Sequence, residues 1–113
     1  MRSYLTTLLI FVLFNSWPSA KAQPLLAGIA TIIDGDTIII KKKRIRLHGI
    51  DAPESRQNCK KNKIFYSCGQ QATLALSKKI YKRAIQCEQR AIDRYRRVVA
   101  VCKLGSIDLN RWM

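Results

Sequence analysis

The sequence predicts a small, mainly β (α+β) domain: a five-stranded barrel with one helix between its third and fourth strands and the first turns of another helix at the end. Three observations carry this reading. Residues 29–53 gather Ile, Thr and Leu into short runs separated by Asp-Gly and Lys-rich turns. Ala72, Leu76 and Ile80 recur every fourth residue, as on one helix face. Two further β-rich runs, 83–89 and 97–103, each hold a cysteine. A chain of 113 residues has room for a single domain.

Residues 29–33 are rich in β-branched residues and end at the Asp34-Gly35 turn. Residues 38–40 form a second such run, followed by the turn Lys41-Lys42-Lys43. Ile45 and Leu47 then alternate with Arg44, Arg46 and His48, a period of two, until Pro53 stops the strand. Residues 55–68 have no clean period and read as a polar loop held by its cysteines. Residues 69–80 read as the helix, with Lys78 and Lys79 in its last turn. Strands over 83–89 and 97–103 flank a polar connection at 90–96. After the turn 104–106, Ser106 or Asp108 caps the start of a second helix. The order β-β-β-α-β-β in a small basic chain fits an OB-fold barrel, a scaffold that commonly binds oligonucleotides and oligosaccharides.

The first 22 residues stand apart. Arg2 precedes an uncharged, mostly apolar run at 4–14, then Pro18 and the small residues Ala20 and Ala22. This is the pattern of a signal peptide cleaved before Gln23. The run of 11 residues is short of the roughly 20 that an anchor needs. Residues 23–113 are then an exported domain, in a periplasm or outside the cell, with no stable membrane insertion once the leader is removed. Only Arg2 and Lys21 of the 21 basic residues precede Gln23, so residues 23–113 carry +12. Such a charge attracts polyanions.

Cys59, Cys68, Cys87 and Cys102 are an even count in a chain expected to be exported, which points to two disulfides. Three pairings exist. Cys59–Cys68 with Cys87–Cys102 is preferred, because each joins nearest neighbours across a segment that can turn back. Zinc is disfavoured, since no C-x-x-C occurs and His48 is the single histidine.

The chain has seven acids, and four of them fall in "IDGDT" (33–37) and "IDAPE" (50–54). Asp34 and Asp36 precede the second expected strand; Asp51 and Glu54 follow the third. In a hairpin the start of one strand lies beside the end of the next, so the two acidic turns converge. Hard oxygen donors without His or Cys suit Ca²⁺ or Mg²⁺. Arg46 and Arg97 can point toward the same end, and arginine clamps phosphate with two parallel bonds. Metal, carboxylate and arginines are the parts of a phosphodiester hydrolase.

"IDGDTI", "RIRLHGIDAPE", "YSCGQQA", "DRYRR" and "GSIDLN" together resemble the thermonuclease, or staphylococcal nuclease-like, family, from about residue 29 onward. The resemblance implies an OB-fold, Ca²⁺-dependent endonuclease acting on DNA and RNA, expected here as a monomer, that leaves 3′-phosphate ends. It implies Asp36, Asp51 and the Ala52 carbonyl as Ca²⁺ ligands; Asp34 is read, from its place in the turn, as supporting the turn or the ligands around the ion. It implies Glu54 as general base, Arg46 and Arg97 on the phosphate, and Arg94 and Tyr95 beside the nucleotide. Two departures stand out. Arg96 occupies a glycine position of the family pattern; if that position needs positive φ, arginine costs about 1–2 kcal/mol. The family also continues beyond "DLN" into further helical cover, so the domain is expected to be C-terminally incomplete. Rival readings are a nucleic-acid-binding module without catalysis and a remnant that does not fold stably.

Overall fold

The computed structural model describes residues 25–113, together with the isolated positions Ser16 and Pro18. The leader expected over 1–22 lies, but for those two positions, outside the described residues.

Burial alternates along the strands as the period of two requires. In β4 (Lys43–Leu47), Ile45 and Leu47 are buried while Lys43 and Arg44 are exposed. In β8 (Val98–Leu104), Val98, Ala100, Cys102 and Leu104 face inward. β3 (Thr37–Ile40) contributes Ile38 and Ile40, and β7 (Ala84–Ile92) contributes Ile85 and Cys87. With Leu76 and Ile80 of α1 (Cys68–Ile80), these side chains make one core.

The main sheet also includes β1 (Leu25–Ile29) and β2 (Thr31–Asp34), in the order β1-β7-β8-β4-β3-β2. The β4/β8 pair is parallel and its other neighbours along this path are antiparallel. Its two outermost strands, β1 and β2, are consecutive in the chain with only Ala30 between them. The sheet therefore curls back on itself, and the fold is mainly β and OB-like.

The described residues hold more strands than the five expected. β1 extends the first expected strand by four residues, where Leu25 to Gly28 carry little β signal and are ordered by pairing with β7. The expected loop at 55–68 contains a second sheet, the hairpin of β5 (Cys59–Lys61) and β6 (Ile64–Tyr66). Its turn residues Asn62 and Lys63 both have positive φ, 52° and 66°. That two-residue turn usually takes Asn-Gly, and lysine hides the signal. β9 (Ile107–Asp108) adds a short strand to β8.

The helix agrees with expectation to within one residue. In α2 (Leu109–Trp112) the cap is Asp108, whose carboxylate accepts from Arg111 N at 3.1 Å. Asn110 is buried, and its amide bonds Cys102 N, Ala100 O and His48 O, so α2 is pinned to β8 and to the end of β4. Cys87 and Cys102 face each other across β7 and β8 and are disulfide-bonded. Cys59 is bonded to Cys68, which closes the base of the small hairpin. Among the described residues no helix is long and apolar enough to cross a membrane.

Candidate active site

The turn after β2 and the segment after β4 lie side by side, as the hairpin argument requires. Asp36 is almost fully buried. Its carboxylate accepts from Thr37 Oγ1 at 2.8 Å, from Ala52 N at 2.8 Å and from Arg46 Nη1 at 2.9 Å. One buried carboxylate thus stitches the first acidic turn to the second. Asp34 does the same one step further out, accepting from Ser55 N at 2.6 Å.

Arg46 sits between Asp36 and Asp51. Its Nη2 reaches Asp51 Oδ1 at 3.3 Å and Ile50 O at 3.1 Å. Burial opposes the Arg46 charge, but the two carboxylates outweigh it and hold the guanidinium above its ordinary value. The Asp51 side chain is 91% exposed.

Glu54 is exposed and forms no ion pair among the described residues. Its backbone is fixed instead. Gln57 N donates to Glu54 O at 2.8 Å, and Glu54 N donates to Gln57 Oε1 at 3.3 Å. The first turn of α1 presses on the same loop. A Cβ at Gly69 would lie 1.6 Å from Glu54 O, so only glycine lets the helix approach this closely.

Glu54 shares a cleft of about 560 Å³ with Arg44, Tyr95 and Arg97. Arg97 enters it from the β7–β8 turn. There Asp93 N donates to Arg97 O and Arg96 N to Asp93 O, both at 3.0 Å. This is a three-residue hairpin loop whose last residue takes the left-handed conformation. Asp93 organises it, accepting from Tyr95 N at 2.9 Å, Arg97 N at 2.8 Å and Arg97 Nε at 2.7 Å. Burial pushes the Asp93 carboxyl up, but these bonds and the Arg97 charge outweigh it and hold it below the usual carboxylate range. Bonding through Nε leaves the Nη donors of Arg97 for another anion. Arg94 and Arg97 both stand over the Tyr95 ring, at 5.2 and 5.4 Å.

The left-handed residue of that loop is Arg96, at φ 63°. The family pattern's glycine position therefore does need positive φ. Arginine there carries about 1–2 kcal/mol of strain, against roughly 0.5–1 kcal/mol that glycine costs through the unfolded chain. Strain is the larger, so Arg96→Gly should stabilise by about 0.5–1 kcal/mol and raise Tm by roughly 2–8 °C. A thermal melt checks this; an unchanged or lower Tm would mean that the Arg96 side chain compensates elsewhere.

The structure brings Asp36, Arg46, Asp51 and Ala52 into one hydrogen-bonded group, and Glu54, Tyr95 and Arg97 into one cleft. The four acids do not gather as a bare cluster. Among the described residues no three His, Cys, Asp or Glu side chains are placed to share a metal. The reason is local: Asp34 and Asp36 accept from backbone amides, and Arg46 lies between Asp36 and Asp51. Arg44, Gln57, Gly69 and Asp93 were not singled out from the sequence. Arg44, Gly69 and Asp93 do fall within the quoted motifs "RIRLHGIDAPE", "YSCGQQA" and "DRYRR"; Gln57 falls in none.

Comparison with known proteins shows family-level similarity. The family model described as "Staphylococcal nuclease homologue" matches residues 44–113. The chain is 38% identical over 98 residues to "Succinoglycan biosynthesis protein ExoI" of Rhizobium meliloti (strain 1021), covering 84% of this chain and 51% of that protein. It is 29% identical over 114 residues to "Protein ParB" of Escherichia coli, covering 97% of this chain and 54% of that protein. The chain spans about half the length of these curated relatives.

Proposed function

The chain belongs to the staphylococcal nuclease homologue family, and from that membership we propose an exported, Ca²⁺-dependent nuclease that hydrolyses phosphodiester bonds of DNA and RNA. Residues 23–113 would be the nuclease domain, with 1–22 its removed leader. We read β1 and β2 as one bent strand, so that the curled sheet closes as the five-stranded barrel of the OB-fold. The observation that carries the proposal is the cleft itself: a Glu54 carboxylate with no ion-pair partner among the described residues, in the same cleft as Arg97, and lining a second hollow with Asp51 and Ala52.

Hard oxygen donors suit Ca²⁺. Two observations support it: Asp36 and Asp51 lie close enough to share one cation, the Arg46 guanidinium, and Asp51 is exposed enough to turn. Asp36, Asp51 and the Ala52 carbonyl would hold the ion, with Asp34 keeping the 52–55 segment in place through Ser55 N. The ion would supply neutralisation of a non-bridging phosphate oxygen.

The chain's own residues do the rest. Glu54 takes a proton from water, and the oxygen forms a bond to phosphorus. The bond to the 5′ oxygen breaks, and that oxygen takes a proton from solvent, leaving a 3′-phosphate. Arginine keeps its proton at any working pH, so Arg97 and Arg46 stabilise charge on the five-coordinate phosphorus rather than donate protons. Tyr95 and Arg94 border the nucleotide.

A binding module is the second reading, favoured by Arg46 neutralising two of the carboxylates. Incubating the purified chain with labelled DNA and RNA in Ca²⁺ separates the two. The nuclease yields fragments of both. A binder returns intact strands, held with an affinity that falls steeply as salt rises, and that result would reject catalysis.

A further inference from the structure

The β5–β6 hairpin lies outside the main sheet. It exposes three consecutive apolar residues, Ile64 at 70%, Phe65 at 72% and Tyr66 at 39%. A run of this kind on a surface contributes nothing to the core and calls for a function. Lys60 stands opposite Phe65 on the neighbouring strand, its Nζ 5.3 Å from the ring centre. Lys61 and Lys63 complete the tip. Residues 55–87 carry eight Lys and Arg and no Asp or Glu, so no acid within this stretch offsets the lysines.

The hairpin is also tied to the cleft. Its base is the Cys59–Cys68 disulfide. Gly69 N, next to Cys68, donates to Gln57 O at 3.0 Å, and Gln57 N donates to Glu54 O at 2.8 Å. The loop that sets Glu54 therefore also sets the hairpin.

We propose that this disulfide-stapled hairpin is a binding arm for single-stranded nucleic acid, in which Phe65 stacks on an unpaired base while Lys60, Lys61 and Lys63 meet the phosphates. Alternation of an aromatic face with lysines is how single strands are held without regard to sequence. In a duplex the base faces are already stacked and Phe65 has nothing to cover, so the arm discriminates in favour of single strands. The proposal rests on the nuclease reading and names the form of substrate presented to the cleft.

The test is fluorescence anisotropy of a short labelled oligonucleotide, single-stranded and as a duplex, with the full chain carrying Glu54→Gln in EGTA. Adding Phe65→Ala should weaken single-strand binding about 5–140-fold and leave duplex binding within about twofold. Adding Lys63→Gly, which suits the left-handed turn, should make the single-strand salt dependence shallower by about 0.7 in the log–log slope. Phe65 is exposed, so Phe65→Ala should melt where its parent does, and Lys63→Gly should melt at or above it. Unchanged single-strand affinity after Phe65→Ala overturns the arm, as does Phe65-dependent sedimentation with phosphatidylglycerol vesicles in the absence of Phe65-dependent oligonucleotide binding. If the unsubstituted chain neither binds nor cuts nucleic acid, the nuclease reading fails and the arm with it. If it cuts in Ca²⁺ while Phe65→Ala keeps full single-strand affinity, only the arm fails.

Discussion

Replacing Glu54 by Gln should lower kcat by about 10²–10⁴, the usual contribution of a general base, while the melting temperature stays where it was. The two halves of this expectation have separate causes. Gln keeps the shape of Glu but cannot take a proton from water. The Glu54 carboxylate also has no ion-pair partner among the described residues, and the loop is held by backbone groups of Glu54 and by Gln57. An exposed substitution that breaks none of these bonds changes stability by within roughly 0.5 kcal/mol. Substrate affinity should hold or improve, because a negative charge facing phosphates is removed. Steady-state kinetics on DNA with Ca²⁺, beside a thermal melt, reads all three quantities. A variant that keeps its kcat would remove Glu54 from the proton transfer.

Gly69→Ala reaches the same carboxylate from the other side. Helix propensity favours alanine over glycine by about 1 kcal/mol, so a substitution in the first turn of α1 looks stabilising when judged locally. The tertiary contact decides otherwise. The new Cβ would lie 1.6 Å from Glu54 O and 3.0 Å from Gln57 N, and both are backbone atoms that cannot rotate away. Either the helix or the 54–57 loop must move by more than an ångström. Overpacking costs about 1–3 kcal/mol, which exceeds the propensity gain. A displacement of this size at a reacting group costs roughly 10²-fold in rate. We therefore expect Gly69→Ala to lower Tm and to reduce kcat about 100-fold. A variant with wild-type Tm and kcat would show that the Gly69 contact does not position Glu54.

The contrast between these two residues shows what could be read in the sequence. Glu54 stands in a run of acids that a basic chain has little reason to place in a turn, so composition alone draws attention to it. Asp36, Asp51 and Arg46 are legible for the same reason, together with the rule that neighbouring strands of a hairpin bring their ends together. Gly69 gives no such signal. It is one glycine near a helix start, and its importance comes from a loop that approaches it only in the folded chain. Asp93 is similar: in the sequence it is a turn former, and in the structure it holds the Arg97 guanidinium by Nε. The β5–β6 hairpin was hidden because Asn62-Lys63 lacks the glycine that marks such turns, and β1 because Leu25 to Gly28 become a strand only by pairing with β7. Repeated patterns, and contacts that follow from neighbouring strands, are visible in the sequence; contacts made by an irregular loop are not.

The most direct measurement is mass spectrometry of an oligonucleotide after incubation with the purified chain, in Ca²⁺ and in EGTA. The account predicts products ending in 3′-phosphate with Ca²⁺ and intact oligonucleotide with EGTA. Equal cleavage in both, or an intact oligonucleotide in Ca²⁺ from a chain that melts cooperatively, would contradict it.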